Sequence, residues 1–464
     1  MLYVATAPAQ SIRLEALDST FSKPIGITAR TTDPSAVYVI EQAGRVQRYE
    51  ATTKSKALWL DLSSTVTNRT TTGLLSMVFH PDPDSNYCYI NYIGAPATQG
   101  AMFTTYISRL TIDADGRPVD DSELLLLAID QYAQGHNGGD LLFGPQGYLY
   151  IPTGDNHHDH HAQDPQSLLG KVLRIDVDRR EGDRNYAVPT DNPFADNQSV
   201  LDEIWAMGIR NAWRNSFDRQ TGDFYSGNVG AAIQEVNYIA ADHTGPINFG
   251  WNCTEAGDAT EEGSELFCTD DATFDEARFR YSQEGEGMVG KTITGGYVYR
   301  GPDTALDGLY FCGDFFSGML AAYPTTGDVT EPLVFEHPDL RNVSSFGEGA
   351  DGSLYVVDYG GSIFQVRGEA STSTRTAAAH RLLSVFPNPA TTRVSLSLPA
   401  AFTGHLTGLL RNATGQQVHR FMLPQRPAGQ VQLDLPQFPA GVYYLTLTDG
   451  RQSGTARLLI HARQ

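Results

Sequence analysis

The chain is short of basic residues. Lys and Arg total 33 against 54 Asp and Glu, a formal charge of −21 over 464 residues. A field of that sign repels phosphate backbones, and no local basic cluster offsets it, so nucleic acid is excluded as a partner. A small neutral or cationic molecule is expected instead. Long apolar runs are also missing. None reaches the roughly 20 residues that a membrane-spanning helix needs, so no transmembrane segment is expected. The four cysteines include no Cys-x-x-Cys pair, which leaves zinc and dithiol motifs unsupported. Convincing amphipathic helices are absent. The first ten residues, Met1 to Gln10, carry neither a basic start nor a full apolar stretch. Small residues from Ala5 to Ala9 are the one hint of a processed leader, and residues 1–20 are set apart as an N-terminal segment.

What the chain has is short apolar strands. Ala36-Val37-Tyr38-Val39-Ile40, Gly147-Tyr148-Leu149-Tyr150-Ile151, Gly308-Leu309-Tyr310-Phe311 and Gly352-Ser353-Leu354-Tyr355-Val356-Val357 are rich in β-branched and aromatic residues and are bounded by turn dipeptides. That grammar predicts an all-β antiparallel architecture. Its recurrence across residues 21–368 predicts a β-propeller of six blades. Residues 369–380 are small and polar and read as a linker. Residues 381–464 return to period-two alternation, as in Arg393-Val394-Ser395-Leu396-Ser397-Leu398, which fits a small Ig-like β-sandwich. Cys253 and Cys268 flank an acidic loop at a spacing that suits a disulfide in an oxidising compartment, whereas Cys88 and Cys312 sit in aromatic strands and read as buried thiols.

Three blocks place ionisable residues among glycines at strand ends: His136-Asn137-Gly138-Gly139-Asp140, Thr153-Gly154-Asp155, and Gly208-Ile209-Arg210-Asn211. A histidine takes a proton near neutral pH, an aspartate fixes its tautomer, and an arginine stabilises a developing anion. Together they predict a general-base site. The run from His157 to His161 carries imidazoles and a carboxylate suited to zinc, copper or nickel. Adjacent side chains cannot all converge on one ion, so it reads as a solvated loop at the mouth of the site. Asp113-Ala114-Asp115-Gly116 lacks the rest of a calcium loop and reads as a hairpin turn. Lys171-Val172-Leu173-Arg174 reads as a strand with exposed basic side chains.

The first region resembles the soluble pyrroloquinoline-quinone (PQQ)-dependent glucose/sorbosone dehydrogenases, whose propeller is shared with hedgehog-interacting-like proteins. The residues that carry it are Gly73 to Asp82, the His136 and Asp155 blocks, Leu169 to Val177, Gly208 to Arg214, Asn248 to Cys253 and Thr294 to Gly301, in family order. The tail resembles the C-terminal sorting domain of type IX secretion cargo through Val385-Phe386-Pro387-Asn388-Pro389-Ala390 and Leu435 to Tyr444. That second resemblance implies export through the outer membrane by the type IX machinery to the cell surface or beyond. Such cargo first crosses the inner membrane, so the sequence is expected to lack part of its leader.

The family resemblance implies that His136 removes the hydroxyl proton of a sugar, and that Asp155 orients and stabilises it. Arg210, with Asn211, would face PQQ, and an external acceptor would collect the electrons. Gly230 and Ala231 would offer backbone oxygens to calcium and contacts to the cofactor, with Lys291 a further cofactor contact. Departures from the family pattern stand beside these matches. Asp140 occupies the place of an arginine, and Thr71 that of a glutamine. The glutamine expected after Gly227-Asn228-Val229-Gly230 is Ala231, and Phe316, Asn342 and Ser344 stand near the late basic clamps. A tricarboxylate cofactor needs positive charge to offset its own, which Lys291 and Arg341 would have to supply. The rival reading is a propeller that keeps the scaffold, has lost the clamps, and binds a glycan or protein without catalysis.

Overall fold

The computed structural model describes residues 12–368 apart from 256–257, 260–267, 269–272, 284–289, 327–331 and 336. Beyond them it describes 381–382, 384–386, 388, 390–397, 406–412, 417–423, 430–436, 438–448 and 453–460. The expected linker and the first eleven residues lie outside the described residues.

Among the described residues of the unit Ile12–Gly368, six sheets of four or five strands follow one another, beside a two-stranded ribbon of Thr254–Glu255 and Asp258–Ala259. The first is Pro24–Arg30, Asp33–Glu41, Arg45–Glu50 and Ser55–Asp61, and the second Leu74–Phe79, Tyr87–Gly94, Phe103–Thr111 and Leu124–Gln131. The third runs Leu142–Phe143, Leu149–Pro152, Lys171–Ile175 and Ile204–Met207, with Ile247–Asn248 added in parallel at its edge. The fourth is Ala212–Phe217, Phe224–Asn228, Ile233–Ile239 and Phe279–Ser282, and the fifth Ile293–Val298, Leu309–Asp314, Leu320–Pro324 and Leu333–Phe335. The sixth is Val343–Glu348, Leu354–Asp358 and Ile363–Gly368, and its outer strand is Ile12–Ala16 from the other end of the unit, paired Ile12 to Gly368 and Ala16 to Phe364.

The continuous apolar runs are explained by burial on both faces of each sheet. In the strand Asp33–Glu41, Val37 and Val39 pack with Tyr355, Val357 and Ile363 of the sixth sheet, while Tyr38 and Ile40 pack with Leu74, Met77 and Ile90 of the second. The same alternation recurs further along. Tyr89 and Ile107 join Leu149 and Leu173, Tyr150 and Val172 join Ala212 and Phe224, Tyr225 and Val236 join Val298 and Tyr310, and Phe311 and Leu320 join Val356 and Phe364. Burying one such aliphatic or aromatic side chain contributes roughly 1.5–3 kcal/mol, and an alternating sequence would have left one face wet.

The residues described after 380 form two sheets, one of five strands and one of three. Val394, Leu396 and Leu433 of the smaller sheet share one core with Leu410, Leu445, Leu458 and Ile460 of the larger. Asn388 of the Pro-Asn-Pro motif accepts the Leu459 N–H at 2.7 Å, and Ala390 N–H donates to the Leu459 carbonyl at 2.8 Å, so the motif is fastened to the last strand.

Candidate active site

Three connecting segments converge before the first strands of the third and fourth sheets. His136 lies in the link from Leu124–Gln131 to Leu142–Phe143, Asp155 just after Leu149–Pro152, and Arg210 just before Ala212–Phe217. Glycine allows the segments to touch. Gly138 has φ +59, and a Cβ there would sit 2.6 Å from the Pro152 carbonyl oxygen; one on Gly154 would sit 2.1 Å from the carbonyl oxygen of His136. Backbone bonds complete the join, Asp155 N–H to Arg210 O at 2.8 Å and Asn156 N–H to His136 O at 3.1 Å.

Asp155 is fully buried. Its Oδ1 lies 2.7 Å from His136 Nδ1 and accepts the His157 N–H at 2.9 Å, while Oδ2 accepts the Trp251 indole N–H at 2.8 Å. With Nδ1 donating to this carboxylate, Nε2 of a neutral His136 holds the free lone pair. Trp251 is the partner that sequence reasoning missed. It lay inside a quoted motif, but its role became visible only with the indole aimed at Asp155.

The Arg210 guanidinium rests 5.3 Å from the Trp251 ring and donates through Nη1 to Val229 O at 3.0 Å and Gly230 O at 3.3 Å. Its Nε is buried with no hydrogen-bond partner among the described residues. Burial lowers the Arg210 pKa, against the attraction of Asp155, Asp159 and Glu255. Asn211 ties segments together: its Oδ1 accepts the Gly138 N–H and its N–H donates to Asn228 Oδ1, each at 3.0 Å. Asp159 is raised above the usual carboxyl range, first by burial and then by the nearby Asp155 charge.

The other expected positions fare differently. Gly230 O accepts from Arg210 and, at 3.4 Å, from Gln234 Nε2, and Ala231 O accepts from Gln283 Nε2 at 2.8 Å. Both carbonyls thus face protein N–H donors, one of them cationic, so a calcium ion does not fit them as they stand. Lys291 and Arg341 are exposed. Asp140 does not stand open as a lost clamp. It is buried, taking Ser76 Oγ at 3.1 Å, Arg214 Nη1 at 3.4 Å and the Asn215 N–H at 2.8 Å. Thr71 accepts Asn137 Nδ2 at 2.9 Å beside the His136 segment, and Ser344 is buried against Pro24 O and Val357 O.

The histidine run folds as a short 3₁₀ turn, Asp159–Ala162, with His158, His160 and His161 ring centroids 4.3–6.2 Å apart. Among the described residues no three His, Cys, Asp or Glu side chains are placed to hold a metal ion. Burial and the neighbouring His160 and His158 push His161 down to about 4. The expectation of exposed basic residues at 171 and 174 is overturned, because Lys171 is 0% and Arg174 4% accessible. Both belong to a strand covered on its two faces. Lys171 Nζ donates to Leu169 O at 2.9 Å and to His161 O, and burial brings its pKa down to about 7.

The expected disulfide is present, Cys253–Cys268 with Cα atoms 5.4 Å apart, and Cys88 and Cys312 are buried and free. A cavity of about 870 Å³ is lined by residues that include Arg214, Arg219, Phe346 and Glu348, and not by His136, Asp155 or Arg210.

HIPL2 protein of Arabidopsis thaliana is 34% identical over 227 residues, 44% of this chain and 32% of that protein. Aldose sugar dehydrogenase YliI of Escherichia coli (strain K12) is 33% identical over 141 residues, 30% of this chain and 36% of that protein. The matched part of the chain therefore spans about a third of the length of these two curated relatives. The PQQ-bound form of aldose sugar dehydrogenase from Streptomyces coelicolor superposes with a TM-score of 0.61 at 19% identity, covering 78% of this chain and 100% of that one. At that identity the likeness establishes the fold alone. Residues 384–461 match the secretion system C-terminal sorting domain, and residues 21–364 match the model described as glucose/sorbosone dehydrogenase. The chain belongs to the glucose/sorbosone dehydrogenase family.

Proposed function

We propose that the protein is an exported sugar dehydrogenase that uses PQQ, its six consecutive sheets being the blades of a six-bladed propeller and its tail an Ig-like sandwich read by the type IX machinery. The observation that carries the reading is the His136–Asp155–Trp251 chain beside Arg210. His136 Nε2 takes the proton of a sugar hydroxyl. Asp155, held by Trp251, keeps the ring in the tautomer that can do so and stabilises the imidazolium that results. Losing such a base costs roughly 10²–10⁴-fold in rate. The buried Nε–H of Arg210, without a partner among the described residues, suits an anionic or carbonyl oxygen of the cofactor, and the whole guanidinium offsets negative charge there. PQQ, when bound, supplies the hydride acceptor. Electrons leave to an external acceptor, and the tail delivers the enzyme to the cell surface or the medium.

A second reading is a non-catalytic propeller that binds a glycan or protein, like the hedgehog-interacting relatives. The occupied carbonyls of Gly230 and Ala231 and the exposed Lys291 favour it. The test is reconstitution with PQQ, with and without calcium, followed by dye-linked oxidation of a panel of aldoses. The dehydrogenase reading expects quinone absorbance to co-purify with the protein and turnover to collapse in His136→Asn. No bound quinone, together with no turnover that depends on His136, sinks it in favour of the binder.

A further inference from the structure

His136 is not a lone imidazole. The His157 ring lies on it with centroids 3.6 Å apart and planes at 34°. Four further features serve this placement. Asn156 and His157 are consecutive non-glycine residues with φ +57 and +58, a left-handed pair uncommon for residues that carry a side chain. Asn156 is fully buried and holds the bend by bonding four times to the segment before His136. Its Oδ1 accepts the N–H groups of Tyr132 and Ala133, and its Nδ2 donates to Ala133 O and Gly135 O. Gly135 leaves the room: a Cβ there would stand 2.3 Å from His157 Nε2. Finally, the His157 N–H and His136 Nδ1 bond the same oxygen, Asp155 Oδ1. Strained backbone held by a dedicated buried side chain is found where position matters to function.

We propose that His157 is a positioning residue for His136, its ring clamping the His136 imidazole in the orientation and Nδ1–H tautomer that leave Nε2 free. The inference deepens the dehydrogenase reading, since the tautomer it secures is the one a general base requires. The stack also withdraws one face of His136 from water and sets a second protonatable ring against it. Burial and His136 both lower the His157 pKa. The charged and titratable groups facing the pair are Asp155, Asp159, Arg210 and His158. Of these, Asp155 favours protonation and Arg210 opposes it.

The test reads the ring-nitrogen tautomer signals by ¹H–¹⁵N imidazole NMR on the full chain, alone and without cofactor or sugar. In His157→Ala the Nδ1–H tautomer signal of His136 loses dominance. His157→Phe, which keeps a ring without a proton, restores the tautomer. Gly135→Ala, which evicts the ring from the other side, reproduces His157→Ala. Tryptophan fluorescence confirms the fold of each variant. An unchanged His136 tautomer in a folded His157→Ala or Gly135→Ala protein overturns the proposal. Because no turnover is measured, failure of the dehydrogenase reading leaves this result distinguishable.

Discussion

Lys171 makes the stability of the first unit depend on pH in a direction opposite to that of a salt-bridged lysine. It is fully buried, its bonds go to the carbonyls of Leu169 and His161, and burial takes its pKa from 10.5 to about 7. Below pH 7 both folded and unfolded states hold the proton, so the full cost of a buried ammonium is present. Between about 7 and 10.5 the folded state has lost the proton and the unfolded state keeps it, so stability rises with pH. The gap of about 3.5 units corresponds to about 5 kcal/mol in all, at about 1.4 kcal/mol per pH unit. Urea unfolding followed by tryptophan fluorescence reads this unit specifically, because the four tryptophans are Trp59, Trp205, Trp213 and Trp251. From pH 7.5 to 9.5 the parent protein should gain about 2–3 kcal/mol more than Lys171→Met. Met leaves two carbonyls without their donor, a loss that is the same at every pH and so does not enter the difference. Parallel pH curves for the two proteins would refute the reasoning.

Other outcomes are equally specific. Glu348, raised to about 7 by burial despite Arg219 at 3.1 Å, holds its proton in the folded state between pH 4.5 and 7 while the unfolded chain releases it. Stability therefore falls with rising pH across that window, by about 3 kcal/mol, and Glu348→Gln removes the slope in the same urea assay. Replacing Cys253 and Cys268 together by serine opens a bridge of sequence separation 15 and costs about 3 kcal/mol, read as a lower melting temperature. Trp251→Phe deletes a hydrogen bond to the Asp155 carboxylate, worth roughly 1.5–3 kcal/mol. Under the dehydrogenase reading it lowers kcat more than it raises KM. Gly154→Ala drives a methyl against the His136 carbonyl at 2.1 Å and destabilises the unit by roughly 1–3 kcal/mol, read in the urea assay.

Strand content and the convergence of the three blocks were legible because they depend on local chemistry. Tyr, Val and Ile runs ending at Gly-Asp make strands whatever surrounds them, and strand-end glycines beside His136 and Asp155 signal segments that must touch. Misreadings came where a second sheet decides the environment. Lys171 and Arg174 look like surface charges in a one-dimensional reading, yet their strand Lys171–Ile175 is buried at every residue. Asp140 looked like an arginine lost, and only the fold shows Arg214, 74 positions away, answering it. The Trp251 bond to Asp155 spans 96 positions, and no local pattern carries such a distance. The His157 stack was hidden for another reason: it rests on left-handed φ values at residues whose identities do not demand them.

The pairing of Ile12–Ala16 with Ile363–Gly368 also governs how the molecule is made. The sixth sheet lacks its outer strand until residues at both ends of the unit meet, since Ile12 pairs with Gly368. Closing a loop of that length is slow to pay back in contacts and places the final step of folding after the whole unit has been synthesised. A chain threaded through a membrane before Gly368 emerges cannot complete that sheet. The sheet locks only when Ile363–Gly368 arrives beside Ile12–Ala16.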